Sequence, residues 1–150
     1  MKKVGILYIC TGKYTVFWPE FYLSAEHHFL KNSEVHYYVF TDASEIEYQR
    51  ENERIHVIHQ EAYGWPFSTL MRFSVFLSAK EQLRECDYVF FFNANAQFIA
   101  PIEEERFLPD QEEGKRLLVV QHPGYGNRYG YYPQCNPFGS KSEGGHYCRR

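Results

Sequence analysis

The chain has 150 residues, and 16 Lys and Arg against 19 Asp and Glu give it a formal net charge of −3. This length fits one domain with a single core, and the charges form no basic stripe of the kind that nucleic-acid-binding proteins present. No segment approaches the roughly 20 apolar residues of a membrane span, and the short apolar run after Lys3 lacks a small-residue cleavage site. The sequence therefore predicts a cytoplasmic protein with no transmembrane segment.

The cysteines are spaced far apart. Cys10, Cys86, Cys135 and Cys148 show no close pairing, which is typical of reduced thiols. A zinc site formed by Cys135, His146 and Cys148 would need a fourth ligand, and no recognisable spacing offers one. We therefore predict no metal in this part of the chain.

The first third of the chain predicts two strands around one helix. Residues 4–9 and 35–40 are runs typical of buried strands, and the second ends at a polar Thr-Asp pair. Between them, apolar residues recur at helical spacing up to a predicted end at Asn32, with Pro19 in the first turn. The predicted buried face of this helix comprises Trp18, Phe21, Tyr22, Ala25 and Phe29.

The following segments alternate between strand and helix patterns. Residues 43–53 are charged and predict a loop or short helix, and 54–59 alternate like a strand near the sheet edge. Residues 88–92 are apolar at every position, which predicts a strand covered on both faces, and 117–120 predict another. Residues 68–85 predict one helix, with a buried stripe of Leu70, Phe73, Phe76, Leu77 and Leu83.

This order of elements predicts an α/β fold with parallel βαβ units in a Rossmann-like, mostly parallel sheet flanked by helices. Residues 1–124 are assigned to one α/β domain. Residues 125–150 are rich in Gly and Tyr with scarcely an aliphatic side chain, so they cannot build a core of their own. We predict that this tail lies over the sheet or is disordered.

Polar groups follow three of the predicted strands, at residues 11–14, 93–95 and 122–124. The carboxyl ends of parallel strands open on one edge of a sheet, where nucleotides bind. No GxGxxG or GxxxxGK[ST] motif is present, so neither the dinucleotide fingerprint nor the P-loop applies. Asn93 and Asn95 are either a polar site at this edge or an ordinary loop, because Asn is a common turn residue.

A nucleotide-sugar donor matches this edge better than a dinucleotide does. Many glycosyltransferases that use nucleotide-sugar donors hold a divalent metal with Asp-x-Asp after a buried strand. Here Asn93 and Asn95 stand in place of the two acids, and their amides lack the charge that a hard cation needs. The diphosphate would then need protein cations, and the nearest candidates are Lys13 and Arg72. By spacing alone, Arg72 is equally compatible with a solvated helix face.

Five motifs follow one another over residues 4 to about 124. They are Ile9-Cys10-Thr11-Gly12-Lys13-Tyr14, His36-Tyr37-Tyr38-Val39-Phe40-Thr41-Asp42, Trp65 with Arg72, Asn93-Ala94-Asn95 and His122-Pro123-Gly124. In these motifs and their order, the sequence resembles the retaining α-1,3-glycosyltransferases of family six, which include the blood-group A and B transferases and α-1,3-galactosyltransferase. It looks most similar to their bacterial, metal-independent members.

The resemblance implies a GT-A fold, of which this chain is the N-terminal donor-binding half. The residues implied to contact the uridine are Ile9, Cys10, Thr11 and Tyr14. Trp65 and Arg72 match a donor-site pair, and Asn93-Ala94-Asn95 stands where other members bind a metal, so no divalent cofactor is expected. His122 matches a residue that touches the acceptor galactose, and residues 125–150 are expected to be the start of the acceptor-site region.

The implied reaction transfers GalNAc or galactose from UDP to O3 of a β-galactoside, often fucosylated, with retention. The family's catalytic Glu is expected beyond residue 150, and Glu143 is a poor substitute for it. The alternative function is therefore a truncated, inactive module that binds UDP-sugar. A weaker third alternative is a structural domain whose Tyr-rich tail docks on a partner.

Overall fold

The computed structural model describes residues 1–109, 114 and 117–119. The chain divides into two compact units, Met1–Leu108 and Pro109–Arg150, and the regular elements of the described residues lie in the first. These elements are β1 (Lys3–Ile9), a 3-10 segment (Gly12–Phe17), α1 (Trp18–His28), β2 (Glu34–Thr41), β3 (Ile55–His59), α2 (Phe67–Leu70), α3 (Arg72–Leu77), α4 (Lys80–Leu83), β4 (Tyr88–Phe92) and α5 (Glu104–Phe107).

The four described strands form one parallel sheet in the order β3-β2-β1-β4. β1 is central, since Val4 pairs with Val35 of β2 on one side and with Tyr88 of β4 on the other. β3 lies at an edge of this sheet, as its wetter pattern predicts. The predicted α/β, Rossmann-like arrangement is confirmed, and the strand bounds differ from the predicted ones by a residue or two.

The helix α1 closes one face of the sheet with an aromatic core. Its predicted apolar face is confirmed, because Trp18, Phe21, Tyr22 and Ala25 are all buried. The helix ends at His28, before the predicted end, where Phe29 turns extended and forms an isolated bridge with the segment around residue 102. This face supplies the larger of the two cores.

The opposite face is covered by α2, α3 and α4, where the prediction of one continuous helix was wrong. Met71 and Ala79 leave helical geometry, with ψ angles of 0° and 11°. The hydroxyl of Ser78 donates to the carbonyl of Val75 at 2.7 Å. Such a local side-chain bond competes with the helical ladder, which gives a physical reason for the break between α3 and α4.

The predicted buried stripe of this helix is correspondingly wrong in part. Phe76 is buried, but Leu70, Phe73 and Leu77 are 68%, 75% and 65% exposed. The buried positions are Val75, Phe76 and Ala79, with Leu83 packed against them, which is one face at helical spacing but only in part the face that was predicted. Lys80, Glu81 and Arg84 face water as predicted.

Two further predictions about strands need correction. β4 is covered on both faces only in part, because Phe90 packs on the α1-face core and Phe91 on the opposite one, but Val89 is 41% exposed. Residues 117–119 of the predicted strand 117–120 form no strand and are exposed. An apolar run becomes a buried strand only beside a partner strand, and none pairs with residues 117–119 among the described residues.

The remaining expectations about the chain are as follows. Residues 43–53 form turns rather than a helix. No helix within the described ranges combines the length and apolarity needed to cross a membrane. His122 and the tail 125–150 lie outside the described residues, as do Cys135, Glu143, His146 and Cys148. The division at residue 124 therefore stays a prediction.

Candidate donor-binding site

A pocket of about 490 Å³ opens at the carboxyl ends of β1 and β4. It brings together eight of the nine residues predicted to bind a nucleotide or donor, from three separate stretches of the chain. These are Ile9, Thr11, Tyr14, Trp65, Arg72, Asn93, Ala94 and Asn95. Strand ends meeting at one edge of a parallel sheet produce this convergence, as the topology predicts.

The turn after β1 forms the first wall. Gly12 has a φ of +56°, a conformation that a residue with a side chain adopts only under strain. Its N–H donates to a carboxylate oxygen of Asp42 at 2.7 Å, and its carbonyl accepts the Thr15 hydroxyl at 2.9 Å. The turn presents Lys13 and Tyr14 to the pocket. Asp42, at the end of β2, thus fixes this wall to the neighbouring strand.

The turn after β4 forms the second wall. The Ala96 N–H donates to the Asn93 carbonyl at 2.9 Å and closes a tight turn. Asn93 and Asn95 are exposed at the pocket, while Ala94 between them is half-buried against the core on the α1 face. The Tyr8 hydroxyl donates to the Ala94 carbonyl at 2.7 Å. Both Asn side chains therefore lie on an anchored backbone.

Arg72 is placed at the pocket rather than on a fully solvated helix face. Its guanidinium carbon lies 4.3 Å from the centre of the Phe91 ring, and both residues line the pocket. A guanidinium stacked on an aromatic face keeps its donor edge free for other partners. This placement favours the site interpretation of Arg72 over the solvated one.

The charge of the pocket is positive. Lys13 and Arg72 are its charged lining residues, and no Asp or Glu is among the described residues that line it. Hard divalent cations bind carboxylates, whereas Asn93 and Asn95 offer neutral amide oxygens beside two cations. The lining therefore does not fit a divalent metal, and it does fit an anion.

Cys10 is the predicted site residue that the structure does not bring to the pocket. Its side chain is fully buried in the core, and its N–H donates to the Phe40 carbonyl at 2.9 Å. Burial raises the pKa of the thiol to about 12, although a hydrogen bond with Thr41 opposes this shift. The thiol is thus a protonated core group, and its contact with uridine stays a prediction.

Sequence reasoning missed five lining residues, namely Ala62, Tyr63, Ser68, Thr69 and Phe91. Phe91 was detectable, because residues two apart on a strand share a face and Asn93 follows it at that spacing. Ser68 and Thr69 were detectable from their spacing, because on the predicted helix residues three and four apart from Arg72 share its face. Tyr63 lies in an irregular segment whose sequence carries no such signal.

Comparison with known proteins identifies the family of the chain. Residues 2–110 match Glycosyltransferase family 6, so the chain belongs to that family. The resemblance inferred from the motifs is confirmed.

Two relatives illustrate the relationship. The chain is 42% identical over 125 residues to the O-antigen biosynthesis glycosyltransferase WbnI of Escherichia coli, covering 83% of this chain and 51% of that protein. It is 31% identical over 131 residues to globoside alpha-1,3-N-acetylgalactosaminyltransferase 1 of Gallus gallus, covering 83% of this chain and 36% of that protein. The chain thus spans about half the length of the first relative and less of the second.

Proposed function

We propose that the pocket binds the UDP part of a UDP-sugar and that the protein is a hexosyltransferase. The transferred sugar is GalNAc or galactose, and the acceptor is O3 of a β-galactoside. The reaction takes place in the cytoplasm, needs no divalent metal and retains the anomeric configuration of the transferred sugar. The observation that carries the proposal is the convergence of Lys13, Arg72 and the Asn pair in one pocket whose described lining includes no Asp or Glu. Family membership and the relatives' names support glycosyl transfer.

The charged, amide and aromatic side chains of the pocket have different roles in this proposal. The diphosphate carries negative charge that protein cations must balance when no metal does so, and Arg72 suits a bidentate contact with it. The amides of Asn93 and Asn95 donate to phosphate or ribose oxygens. Tyr14 and Trp65 offer exposed aromatic faces, 48% and 88% exposed, on which a base or sugar can pack.

The acceptor and the catalytic group belong to the remainder of the proposal. We assign residues 1–124 to donor binding, His122 to the acceptor and 125–150 to the start of the acceptor-site region. A retaining reaction wants a carboxylate near the anomeric carbon, and the described pocket lining offers none. That carboxylate is expected beyond residue 150, as the resemblance implies.

Titration of UDP in a chelating buffer tests the donor site. Arg72→Ala and Asn95→Ala should each raise the Kd for UDP by about tenfold, which corresponds to about 1.4 kcal/mol. Arg84→Ala and Asn32→Ala are matched controls, because both side chains are exposed outside the pocket lining. If the controls weaken binding as much as the site variants, the pocket is not where UDP binds.

Introducing two negative charges at the Asn pair tests metal independence separately. The double variant Asn93→Asp, Asn95→Asp should bind UDP only weakly in chelator and regain affinity with Mn²⁺, because carboxylates attract hard cations. The unaltered chain should show the same Kd in both buffers. A more than tenfold gain on adding Mn²⁺ to the unaltered chain would contradict the proposal.

Binding without transfer is the second candidate, and the lack of a carboxylate in the described lining favours it for this chain. Incubation with UDP-GalNAc or UDP-galactose and lactose separates the two. Release of UDP with formation of an α-1,3-linked product establishes transfer. Tight UDP binding with no product establishes a binding module.

A further inference from the structure

Tyr8 connects the core of the sheet to the pocket. It lies near the end of the central strand β1, and its side chain is fully buried. Its ring stacks on Phe21 with centres 4.3 Å apart and tilts against Trp18 at 5.4 Å. The hydroxyl at the far end of this ring donates to the Ala94 carbonyl at 2.7 Å. A rigid, packed aromatic thus ends in a hydrogen bond to the second pocket wall.

The hydrogen bond from Tyr8 acts on the backbone of the second pocket wall and not on its side chains. In the described part of the chain, neither the Asn93 nor the Asn95 side chain makes a hydrogen bond, so the backbone alone determines from where each side chain starts. The Ala94 carbonyl belongs to the peptide that joins Ala94 to Asn95, and rotation of this peptide would reorient Asn95. The Asn93 carbonyl is held separately, by the Ala96 N–H at 2.9 Å. Fixing the Ala94 carbonyl therefore fixes the backbone position from which the Asn95 side chain reaches the pocket.

The hydroxyl is a permanent donor. Burial raises the pKa of Tyr8, so the phenol stays protonated across the range in which proteins work. The carbonyl of Ala94 needs a partner because its residue is half-buried against the core on the α1 face. Donor and acceptor are therefore matched in a part-buried hydrogen bond.

We infer that Tyr8 is a positioning residue for the donor site, holding the peptide between Ala94 and Asn95 in the orientation from which the Asn95 side chain lines the pocket. Tyr8 itself does not line the pocket, so it acts through Asn95. Its part in UDP binding rests on the proposed function, whereas its hold on the turn does not.

Tyr8→Phe tests the inference because it removes one oxygen and keeps the ring. Tyr37→Phe is the matched control, since Tyr37 is also fully buried on the α1 face but its hydroxyl donates to Glu26 at 2.7 Å, away from the pocket. Calorimetric titration with UDP in chelator should give about a tenfold higher Kd for Tyr8→Phe. Tyr37→Phe should bind like the unaltered chain, although both variants lose a buried hydrogen bond.

A double-mutant cycle shows whether Tyr8 acts through Asn95. In an Asn95→Ala background, Tyr8→Phe should weaken UDP binding by less than threefold, because the group that it positions is gone. A general loss of stability would weaken both backgrounds equally. Full additivity, or a Tyr8→Phe Kd equal to that of the unaltered chain, overturns the inference while leaving the proposed function intact.

Hydrogen exchange of the ligand-free protein supplies a test that does not depend on UDP. The backbone N–H hydrogens of residues 94–97 should exchange faster in Tyr8→Phe than in Tyr37→Phe. If the unaltered chain binds no UDP, the proposed function fails, and this exchange rate alone decides the positioning role. Equal exchange in the two variants overturns it.

Discussion

The two faces of the sheet are packed differently. The α1 face is closed by one unbroken helix whose aromatic side chains are almost fully buried, including Trp18 at 1% and Phe21 at 0% exposure. The opposite face is covered by three short helices that leave Phe73 75% exposed. The pocket draws Ser68, Arg72 and Phe91 from this second face. The larger and more aromatic core thus lies on the α1 face, whereas the candidate site combines the carboxyl edge of the sheet with helices of the second face.

Charged groups reinforce the α1 face where α1 meets the sheet. Glu26 of α1 forms an ion pair with Arg54 at 2.6 Å and accepts the Tyr37 hydroxyl at 2.7 Å. Arg54 also donates to the Val35 carbonyl at 2.9 Å. Hydrogen-bonded partners on both sides satisfy these partly buried charges, which is the condition for their burial to be tolerated.

Truncation of one aromatic on each face should give the largest difference. Phe21→Ala removes a fully buried ring and should lower the free energy of unfolding by about 3–5 kcal/mol. Phe73→Ala removes a ring that is 75% exposed and should change it by less than about 0.5 kcal/mol. Urea unfolding of both variants measures this. A large loss for Phe73→Ala would mean that the second face is as well packed as the first.

Neighbouring tyrosines on β2 sharpen the comparison, because Tyr37 and Tyr38 point to opposite faces. Tyr37→Phe removes a 2.7 Å bond to a carboxylate and should cost about 1–2 kcal/mol of unfolding free energy. Tyr38→Phe removes a longer contact, 3.3 Å to the Gln82 carbonyl, and should cost about 0.5 kcal/mol or less. The same urea assay decides, and equal losses would contradict the asymmetry.

The smallest expected effect concerns pH on the second face. Burial lowers the pKa of His56, helped by the nearby His36 and Lys3 and opposed by Glu85. Because the folded pKa lies below the unfolded one, the unfolded state takes up the proton first, and stability falls as pH drops below about 6.5.

His56→Gln should therefore flatten the loss of unfolding free energy between pH 7.5 and 5. His27→Gln, which removes an exposed imidazole on α1, is the control for loss of a histidine elsewhere. The measurement is urea unfolding at several pH values. An unchanged slope in His56→Gln would assign the pH dependence to other groups.

The sequence predicted those features that one period or one topological rule determines. Apolar runs located β1, β2 and β4, helical spacing located α1, and the rule that strand ends share an edge located Thr11 and Asn93 in one pocket. The break near Ser78 depends on a side-chain hydrogen bond that competes locally with the helix, which no periodicity reveals. Tyr8 likewise reads as an ordinary core residue, since only three-dimensional packing brings its hydroxyl to Ala94.

Two hydrogen bonds hold the pocket walls, one from Gly12 to Asp42 and one from Tyr8 to Ala94, and they differ in the length of chain between their partners. Gly12 and Asp42 are 30 residues apart, whereas Tyr8 and Ala94 are 86 apart. Closing the longer loop costs more chain entropy, and a nascent chain leaves the ribosome from its N-terminus. During synthesis, the first wall can therefore form while the second is still being translated. The pocket is completed late, together with the part of the α1-face core that Phe98 supplies.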